Sequence, residues 1–311
     1  MDRLSEEKVP FFFMIDFLAE NIEISSEKDL ESSQIKFDFQ VNKNNKKLPK
    51  NFGLTSFPPT KEDYKKGFEM VQKHLQKGNS YLINYTKKTE IETNLSLEEI
   101  FEYSEAKYKI LYPNHFVCFS PETFIKIIDN QVFTYPMKGT IDADIDNATE
   151  LLKNDKKEKA EHYTVVDLLR NDLSQIADNV QVTDFQRIDF IRTKQKNLYA
   201  MSSEILGRIK PKFQNKIGSI LQKLVPAGSI LGAPKPKTLE IILEAENYDR
   251  GWYTGICGWF DGKNLDSCVM IRFIEKEGEK LYFKSGGGIT HMSQLDDEYE
   301  EMKNKIYVPI Y

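Results

Sequence analysis

The sequence has few cysteines, and this shortage excludes two classes of small-domain architecture. Its 311 residues include only Cys118, Cys257 and Cys268. Three is an odd number and none of them is in a C-x-x-C spacing, which argues against a disulfide framework and against a zinc site. We interpret these residues as reduced, mostly buried thiols.

The sequence also lacks a basic block and a long apolar run. The formal net charge is −5, and the Lys, Asp and Glu residues are interspersed, whereas nucleic-acid binders carry a basic patch. A bilayer span needs roughly 20 apolar residues, and the strongest run, Phe11–Ile15, ends at Asp16. We therefore expect a cytoplasmic protein that binds neither nucleic acid nor membrane.

The hydrophobic pattern alternates helices with groups of two or three strands. Helical spacing predicts helices over Lys61–Gln76 and, with Ser96 as its cap, over Leu97–Tyr103. Strands grouped in this way favour an α+β assembly of sheets covered by helices over a parallel βαβ arrangement. The stretch Asn42 to Lys50 has the composition of a linker, so we divide the chain into a shortened β-rich segment, 1–55, and a catalytic domain, 56–311.

One lysine lies between an apolar stretch and a glycine, in Tyr135-Pro136-Met137-Lys138-Gly139-Thr140. A strand predicted over Val132 to Met137 would end at this lysine. Lys138 is then either an exposed turn residue, as most lysines are, or an amine nucleophile whose pKa burial has lowered toward neutrality.

Two predicted helices each carry a pair of glutamates three residues apart on their apolar side. Glu158 and Glu161 lie in the first, predicted over Asp155 to Leu173, and Glu298 and Glu301 in the last, predicted to start at Leu295 with Ser293 as its cap. Inward carboxylates need either a basic partner or a divalent cation. Mg²⁺ usually takes one or two protein carboxylates, so the other glutamates would lie beside it.

Several residues near the C-terminal end could bind an anion. Gly286, Gly287 and Gly288 precede the last helix and could offer backbone N–H groups. Arg272, in a β-run predicted over Val269 to Phe273, could clamp a carboxylate, although an outward-facing strand residue fits equally well. Tyr253 could offer its phenol, but aromatic residues are more often core.

Taken together, these stretches resemble the chorismate-utilising enzymes, the family of anthranilate, isochorismate, salicylate and aminodeoxychorismate synthases. The resemblance runs from about Lys61 to Lys305. It rests on the following motifs, in family order: Ser120-Pro121-Glu122, Pro136 to Thr140, Glu158 to Asp172, Gly228 to Lys235, Arg250 to Gly258, Ile271-Arg272 and Gly286 to Glu301.

The resemblance implies a four-layer α/β/β/α fold, with two orthogonally packed, largely antiparallel sheets covered by helices. It also implies that Mg²⁺ and chorismate bind in a cleft between them. It gives Glu161 and Glu301 as metal ligands, with Glu158 and Glu298 beside them. The substrate carboxylates would be bound by Arg272, Tyr253, Lys305 and the amides of Gly286 to Gly288.

Two positions favour one branch of the family. Aminodeoxychorismate synthase component I carries a lysine where this chain has Lys138, whereas anthranilate and isochorismate synthases typically carry alanine there. The enzymes that add water carry a lysine base where this chain has Leu82, and leucine cannot deprotonate water. The resemblance thus implies a Mg²⁺-dependent transferase that converts chorismate and ammonia to 4-amino-4-deoxychorismate for p-aminobenzoate and folate synthesis.

Three departures from the family pattern keep other functions open. Leu231 replaces a threonine, Ala200 occupies the position of the catalytic histidine, and the arginine expected after Gly139-Thr140 is absent. The alternatives are an anthranilate synthase large subunit and a non-catalytic anion-binding module. No cysteine lies at a predicted strand-to-helix turn, so we expect ammonia to come from a separate glutamine amidotransferase subunit.

Overall fold

The computed structural model describes residues 1–39, 52–191 and 197–310, without the side chains of residues 138, 157 and 191. The linker-like stretch Asn42 to Lys50 lies outside these ranges. The described helices are α1 (Asp2–Glu6), α2 (Leu30–Ser33), α3 (Lys61–Gln76), α4 (Leu97–Tyr103), α5 (Ala148–Asn154), α6 (Lys156–Ile176), α7 (Ile217–Leu224), α8 (Gly228–Leu231), α9 (Lys235–Ala245) and α10 (Leu295–Asn304).

The described strands form two sheets in which every pair is antiparallel. They are β1 (Phe11–Ile15), β2 (Ile22–Ser26), β3 (Lys36–Asp38), β4 (Leu54–Phe57), β5 (Leu82–Thr93), β6 (Tyr108–Tyr112), β7 (Phe116–Ser120), β8 (Thr123–Ile128), β9 (Gln131–Thr134), β10 (Met137–Asp142), β11 (Ala177–Ile191), β12 (Leu198–Ile209), β13 (Gly232–Ala233), β14 (Ile256–Phe260), β15 (Leu265–Val269), β16 (Phe273–Glu277) and β17 (Lys280–Ile289).

The nine-stranded sheet has the order β10-β12-β9-β8-β15-β14-β1-β2, with β11 paired to β12. The eight-stranded sheet has the order β13-β5-β17-β16-β7-β6-β3, with β4 paired to β5. The chain crosses between the sheets several times, so each sheet combines strands from distant parts of the sequence. This topology brings the last third of the chain beside its beginning.

β1 shows how the layers stack, because all five of its residues are buried. Its odd-numbered side chains, Phe11, Phe13 and Ile15, pack in a core with α6 and α7. Phe12 and Met14 point the other way, into a core shared with β6, β7 and β16 of the other sheet. Because side chains alternate between the two faces of a strand, β1 contributes to two cores.

Helices cover the outer face of each sheet. α6 and α7 pack on the nine-stranded sheet, and α3, α9 and α10 pack on the eight-stranded sheet around Ile83, Tyr85 and Ile289. The order is helices, sheet, sheet, helices, which confirms the predicted α+β class with its α/β/β/α layers.

The short-range predictions are partly confirmed. α3 and α4 have the predicted limits, and Ser96 and Glu99 form the predicted capping box of α4. The strand predicted over Val132 to Met137 is wrong, because β9 ends at Thr134 and β10 starts at Met137, which places Lys138 inside a strand. The division near residue 55 remains a prediction.

The three cysteines are free and buried, as predicted. Cys257 and Cys268 face each other on β14 and β15 with their Sγ atoms 3.2 Å apart. Among the described residues, no helix is both long enough and apolar enough to cross a bilayer.

Candidate functional site

Gly286, Gly287 and Gly288 lie within a strand that precedes the last helix. β17 continues through them to Ile289, and α10 begins at Leu295 as predicted. All three pair with β5, and β16 pairs only with residues 280–284 of β17. At the three glycines, the edge of β17 that faces away from β5 is therefore not paired with β16.

Backbone hydrogen bonds in an antiparallel strand alternate between its two edges. Lys305 Nζ donates to the carbonyl oxygen of Gly286 at 2.7 Å, so Gly286 directs its backbone groups away from β5. By the same alternation, Gly288 directs its N–H to that edge. We call the edge of β17 at Gly286 and Gly288, together with Arg272 and Lys305, the anion edge.

Arg272 immediately precedes β16 and therefore lies beside this edge. Its predicted place inside a strand is wrong, because β15 ends at Val269 and Arg272 has a left-handed φ of 54°. Its Nη1 donates to the Lys305 carbonyl oxygen at 3.0 Å, and its guanidinium lies 4.8 Å from the centre of the Tyr307 ring. Within the described part of the chain, its buried Nε has no hydrogen-bond acceptor.

The glutamates of α10 lie against the middle glycine. A Cβ at Gly287 would come within 3.0 Å of Glu301 Oε1 and 3.4 Å of Glu298 Oε2, so glycine is what lets α10 approach this closely. Glu298 is buried, and Glu301 accepts a hydrogen bond from Lys305 Nζ at 2.6 Å. The prediction that Ser293 caps α10 is wrong, because its hydroxyl accepts a hydrogen bond from the Thr290 N–H at 3.1 Å instead.

A buried ion pair holds the opposite edge of β5. Arg250 and Glu246 are each 1% exposed and meet through two hydrogen bonds of 2.7 and 2.8 Å. Arg250 also donates to the carbonyl oxygen of Asn84, and Glu246 accepts from the N–H of Thr86, both at 2.7 Å. Asn84 and Thr86 are the cross-strand partners of Gly288 and Gly286. The pair thus fixes the strand on which the glycines lie.

Tyr253 is buried in the turn before β14 rather than in a strand. Its ring centre lies 5.9 Å from that of Phe273, the residue after Arg272. Burial raises the pKa of Tyr253 well above its ordinary value, although Arg250 and Arg272 act to lower it. The phenol is therefore a neutral hydrogen-bond donor at pH 7.

Lys138 lies at a β-bulge of β10. Lys138 pairs with Met201 and Thr140 with Ala200, so Gly139 is the extra residue, with a φ of 71°. A Cβ at Gly139 would come within 2.9 Å of Glu158 Oε2. The bulge therefore places the backbone of Lys138 beside the first predicted glutamate pair.

The first pair lies on α6 as predicted. Glu161 is buried and Glu158 is half-buried. The next residue, His162, is buried and its Nε2 lies 2.7 Å from Ser203 Oγ on β12. This contact joins α6 to the strand that carries Ala200.

The four glutamates lie as two separate pairs and do not form a complete set of metal ligands. In the described ranges, no three His, Cys, Asp or Glu side chains form a group that could hold a metal ion. Mg²⁺ commonly binds through one or two carboxylates and completes its shell with water and substrate oxygens. A buried carboxylate such as Glu298 fits that requirement.

Two residues near the anion edge have no counterpart among the predictions. Asn84 Oδ1 and the Tyr64 hydroxyl are buried, and neither has a hydrogen-bond partner among the described residues. Tyr64 lies on the apolar stripe of α3, and Asn84 lies in a strand. Sequence pattern alone cannot separate such residues from ordinary core and strand positions.

A family model for chorismate binding enzymes matches residues 14–310. The chain belongs to the chorismate-binding enzyme family. It is 49% identical over 318 residues to an uncharacterised PabA-like protein of Pasteurella multocida, covering 99% of this chain and 97% of that protein. It is 51% identical over 309 residues to an uncharacterised PabA-like protein of Haemophilus influenzae, covering 98% and 94%.

More distant members of the chorismate-binding family carry functional names. A protein of Schizosaccharomyces pombe, provisionally named an aminodeoxychorismate synthase, is 32% identical over 270 residues, covering 81% of this chain and 37% of that protein. The crystal structure of anthranilate synthase component I from Streptococcus pneumoniae matches with 26% identity and a TM-score of 0.69, covering 81% of this chain and 58% of that one. The menaquinone-specific isochorismate synthase MenF of Escherichia coli shares the fold, with 16% identity and a TM-score of 0.75, over 97% of this chain and 78% of that one.

Proposed function

We propose that this chain is aminodeoxychorismate synthase component I, which converts chorismate and ammonia to 4-amino-4-deoxychorismate for p-aminobenzoate and folate synthesis. The observation that carries the proposal is the bulge at Gly139. It places Lys138 in a strand, next to the position where Glu158 of the α6 pair meets the backbone. A lysine at this backbone position could supply an amine nucleophile to a ring bound nearby.

The anion edge supports chorismate as the substrate, because chorismate carries two carboxylates. Arg272 has a guanidinium N–H without an acceptor among the described residues, Lys305 lies at the same edge, and the N–H groups of Gly286 and Gly288 point to it. Charged donors and backbone amides together are a strong combination for a carboxylate. The Gly287 amide faces β5, and Tyr253 adds a neutral phenol donor.

The two glutamate pairs support Mg²⁺ as the cofactor. Glu161 and Glu301 would bind the ion, with Glu158 and Glu298 beside them. When bound, the ion would neutralise the carboxylate on the ring of chorismate and so favour attack by a nucleophile.

The reaction we propose for Lys138 balances as two substitutions. The neutral amine of Lys138 forms a bond to ring C2 as the C4–O bond breaks, and the C4 hydroxyl leaves as water after taking up a proton. Ammonia then bonds to C4 as the bond between Lys138 and C2 breaks, which regenerates the lysine. Chorismate and ammonia thus give 4-amino-4-deoxychorismate and water.

The environment of Leu82 supports ammonia over water as the final nucleophile. Leu82 is 2% exposed and packs in the apolar core with residues of α6. A leucine in that core offers no base that could activate water. Ammonia needs no base when it arrives neutral.

Two observations favour a second function, a non-catalytic anion-binding module. Ala200 is buried opposite Thr140, next to the bulge, and cannot transfer a proton. Leu231 is buried in the apolar core with Ile83. Such a module would keep the anion edge and bind chorismate without converting it.

The test is the substitution Lys138→Ala. We expect it to lower the rate of 4-amino-4-deoxychorismate formation at least about a hundredfold, because the covalent step is lost. Chorismate binding, measured by calorimetry, should stay within about threefold of the wild type, since the groups of the anion edge are unchanged.

Lys153→Ala is the matched control, because this lysine is exposed on α5, and we expect it to leave both quantities unchanged. Unchanged turnover in Lys138→Ala would refute the covalent role of the lysine. Chorismate binding without any turnover in the wild type would favour the non-catalytic module.

A further inference from the structure

The hydroxyl of Tyr64 has no partner in the described structure, although it is buried. Tyr64 is 0% exposed, and its Oη makes no hydrogen bond within the described residues. A buried hydroxyl without a partner destabilises the folded protein, because it loses its hydrogen bonds to water and gains none. Phenylalanine would fill the same volume without this penalty, so the hydroxyl needs a reason to be there.

The surroundings of Tyr64 point to the glutamates of α10. Its ring centre lies 5.0 Å from that of Tyr85, the cross-strand partner of Gly287. It lies 5.5 Å from that of Tyr299, which follows Glu298 along α10. Gly287 is the residue against which the carboxylates of Glu298 and Glu301 lie.

Electrostatics agree with this placement. The pKa of Tyr64 is raised far above its ordinary value, first by burial and next by the charge of Glu298, with smaller contributions from Tyr85 and Glu301. A protonated phenol is a hydrogen-bond donor, and a carboxylate is a strong acceptor for it. Glu298, which is 2% exposed, is the carboxylate that acts on it most strongly.

We propose that Tyr64 is a positioning residue, whose hydroxyl donates a hydrogen bond to the Glu298 carboxylate, beside the proposed ligand Glu301, when Mg²⁺ is bound. This inference rests on the Mg²⁺ site of the proposed function. A ligand or neighbouring carboxylate that is held by a second hydrogen bond keeps its orientation and binds the ion more tightly. The cost in stability of a buried hydroxyl that has no partner among the described residues would then be offset when the ion binds.

The experiment compares the full chain with Tyr64→Phe, which removes only the hydroxyl. In the metal-free protein we expect the melting temperature to rise by about 1–3 °C, because an unsatisfied buried group is gone. Titration with Mg²⁺ in the presence of chorismate, followed by calorimetry, should show the affinity for the ion falling about ten- to a hundredfold. A structural role for the hydroxyl would move both quantities down together.

Tyr299→Phe is the matched control, because the Tyr299 hydroxyl already donates to the Pro59 carbonyl oxygen at 2.9 Å. We expect no rise in its melting temperature and Mg²⁺ affinity within about twofold of the wild type. Equal Mg²⁺ affinity in Tyr64→Phe and the wild type would overturn the role of Tyr64 and leave the metal site standing. A wild-type chain that binds no Mg²⁺, with or without chorismate, would overturn the metal site itself and this inference with it.

Discussion

Arg272 combines a strained backbone with a guanidinium nitrogen for which the described part of the chain offers no acceptor. A left-handed φ, here 54°, is unfavourable for a residue with a side chain and is commonly retained at binding sites. The bond from Nη1 to the Lys305 carbonyl oxygen fixes the guanidinium, while the buried Nε stays without an acceptor among the described residues. This arrangement suits a carboxylate that arrives with the ligand.

Arg272→Lys tests that arrangement because it keeps the charge and removes the planar set of donors. We expect the affinity for chorismate to fall about ten- to a hundredfold, since a charge-assisted hydrogen bond of fixed geometry is lost. Isothermal calorimetry would measure this. Arg208→Lys, at an exposed position of β12, should leave the affinity unchanged, and an equal loss in both variants would contradict a specific role for Arg272.

At the residue scale, helical spacing predicted that glutamates of the two pairs face the interior, whereas the buried charges Glu246, Arg250 and Lys284 were not predicted. Glu161 and Glu298 are buried as the helical stripe predicted. The conformation of Arg272 was missed, because a run of apolar neighbours predicts a strand and carries no signal for a positive φ. Tyr64 fits the apolar stripe of α3, and only the packed structure shows that its hydroxyl has no partner among the described residues.

At the scale of elements, the anion edge depends on β5 holding β17 in register. The ion pair of Glu246 and Arg250 bonds to the edge of β5 that faces away from β17, through Thr86 and Asn84. Removing one member of a fully buried pair leaves the other charge uncompensated. The pair should therefore matter to stability far more than an exposed one.

Glu246→Gln is expected to lower the free energy of unfolding by about 3 kcal/mol, because Arg250 would remain charged and buried. Denaturation in urea, followed by fluorescence, would measure the change. The matched control is Glu240→Gln, since Glu240 pairs with Lys237 on the exposed face of α9, and its effect should stay below about 0.5 kcal/mol. A loss below 1 kcal/mol for Glu246→Gln would show that the pair is not needed to hold β5.

Element boundaries were predictable where a cap marks them. Thr60 caps α3 and Ser96 caps α4 through hydrogen bonds to the third residue of each helix, which is a local signal. The extension of β17 through Gly286 to Gly288 was not predictable, because glycine is depleted in strands. Its strand conformation comes from pairing with β5, which is far away in the sequence.

At the scale of the whole molecule, the four layers arise from long-range pairing. β1 pairs with β14, and β3 with β6, and no hydrophobic period encodes which distant strands meet. The layered fold was expected from the resemblance to a family, whereas the residue pattern alone predicted only sheets covered by helices. The anion edge by itself predicts a ligand with a carboxylate. Only the resemblance to the family predicts that this ligand is chorismate.

The positions of the three cysteines in the fold bear on the source of ammonia. Cys118, Cys257 and Cys268 are fully buried in strands β7, β14 and β15, so none of them resembles an exposed nucleophile at a strand-to-helix turn. Burial raises the pKa of the Cys118 and Cys257 thiols, which disfavours the reactive thiolate. We therefore propose that a separate glutamine amidotransferase subunit supplies ammonia.

The most direct measurement of the central claim is the identity of the product formed by the purified chain from chorismate and Mg²⁺. One reaction contains ammonium at raised pH, where more of it is neutral ammonia, and the other contains glutamine. The account predicts 4-amino-4-deoxychorismate, identified by mass spectrometry, with ammonium and none with glutamine. Fluorescent anthranilate, efficient use of glutamine by this chain alone, or unconverted chorismate in both reactions would contradict it.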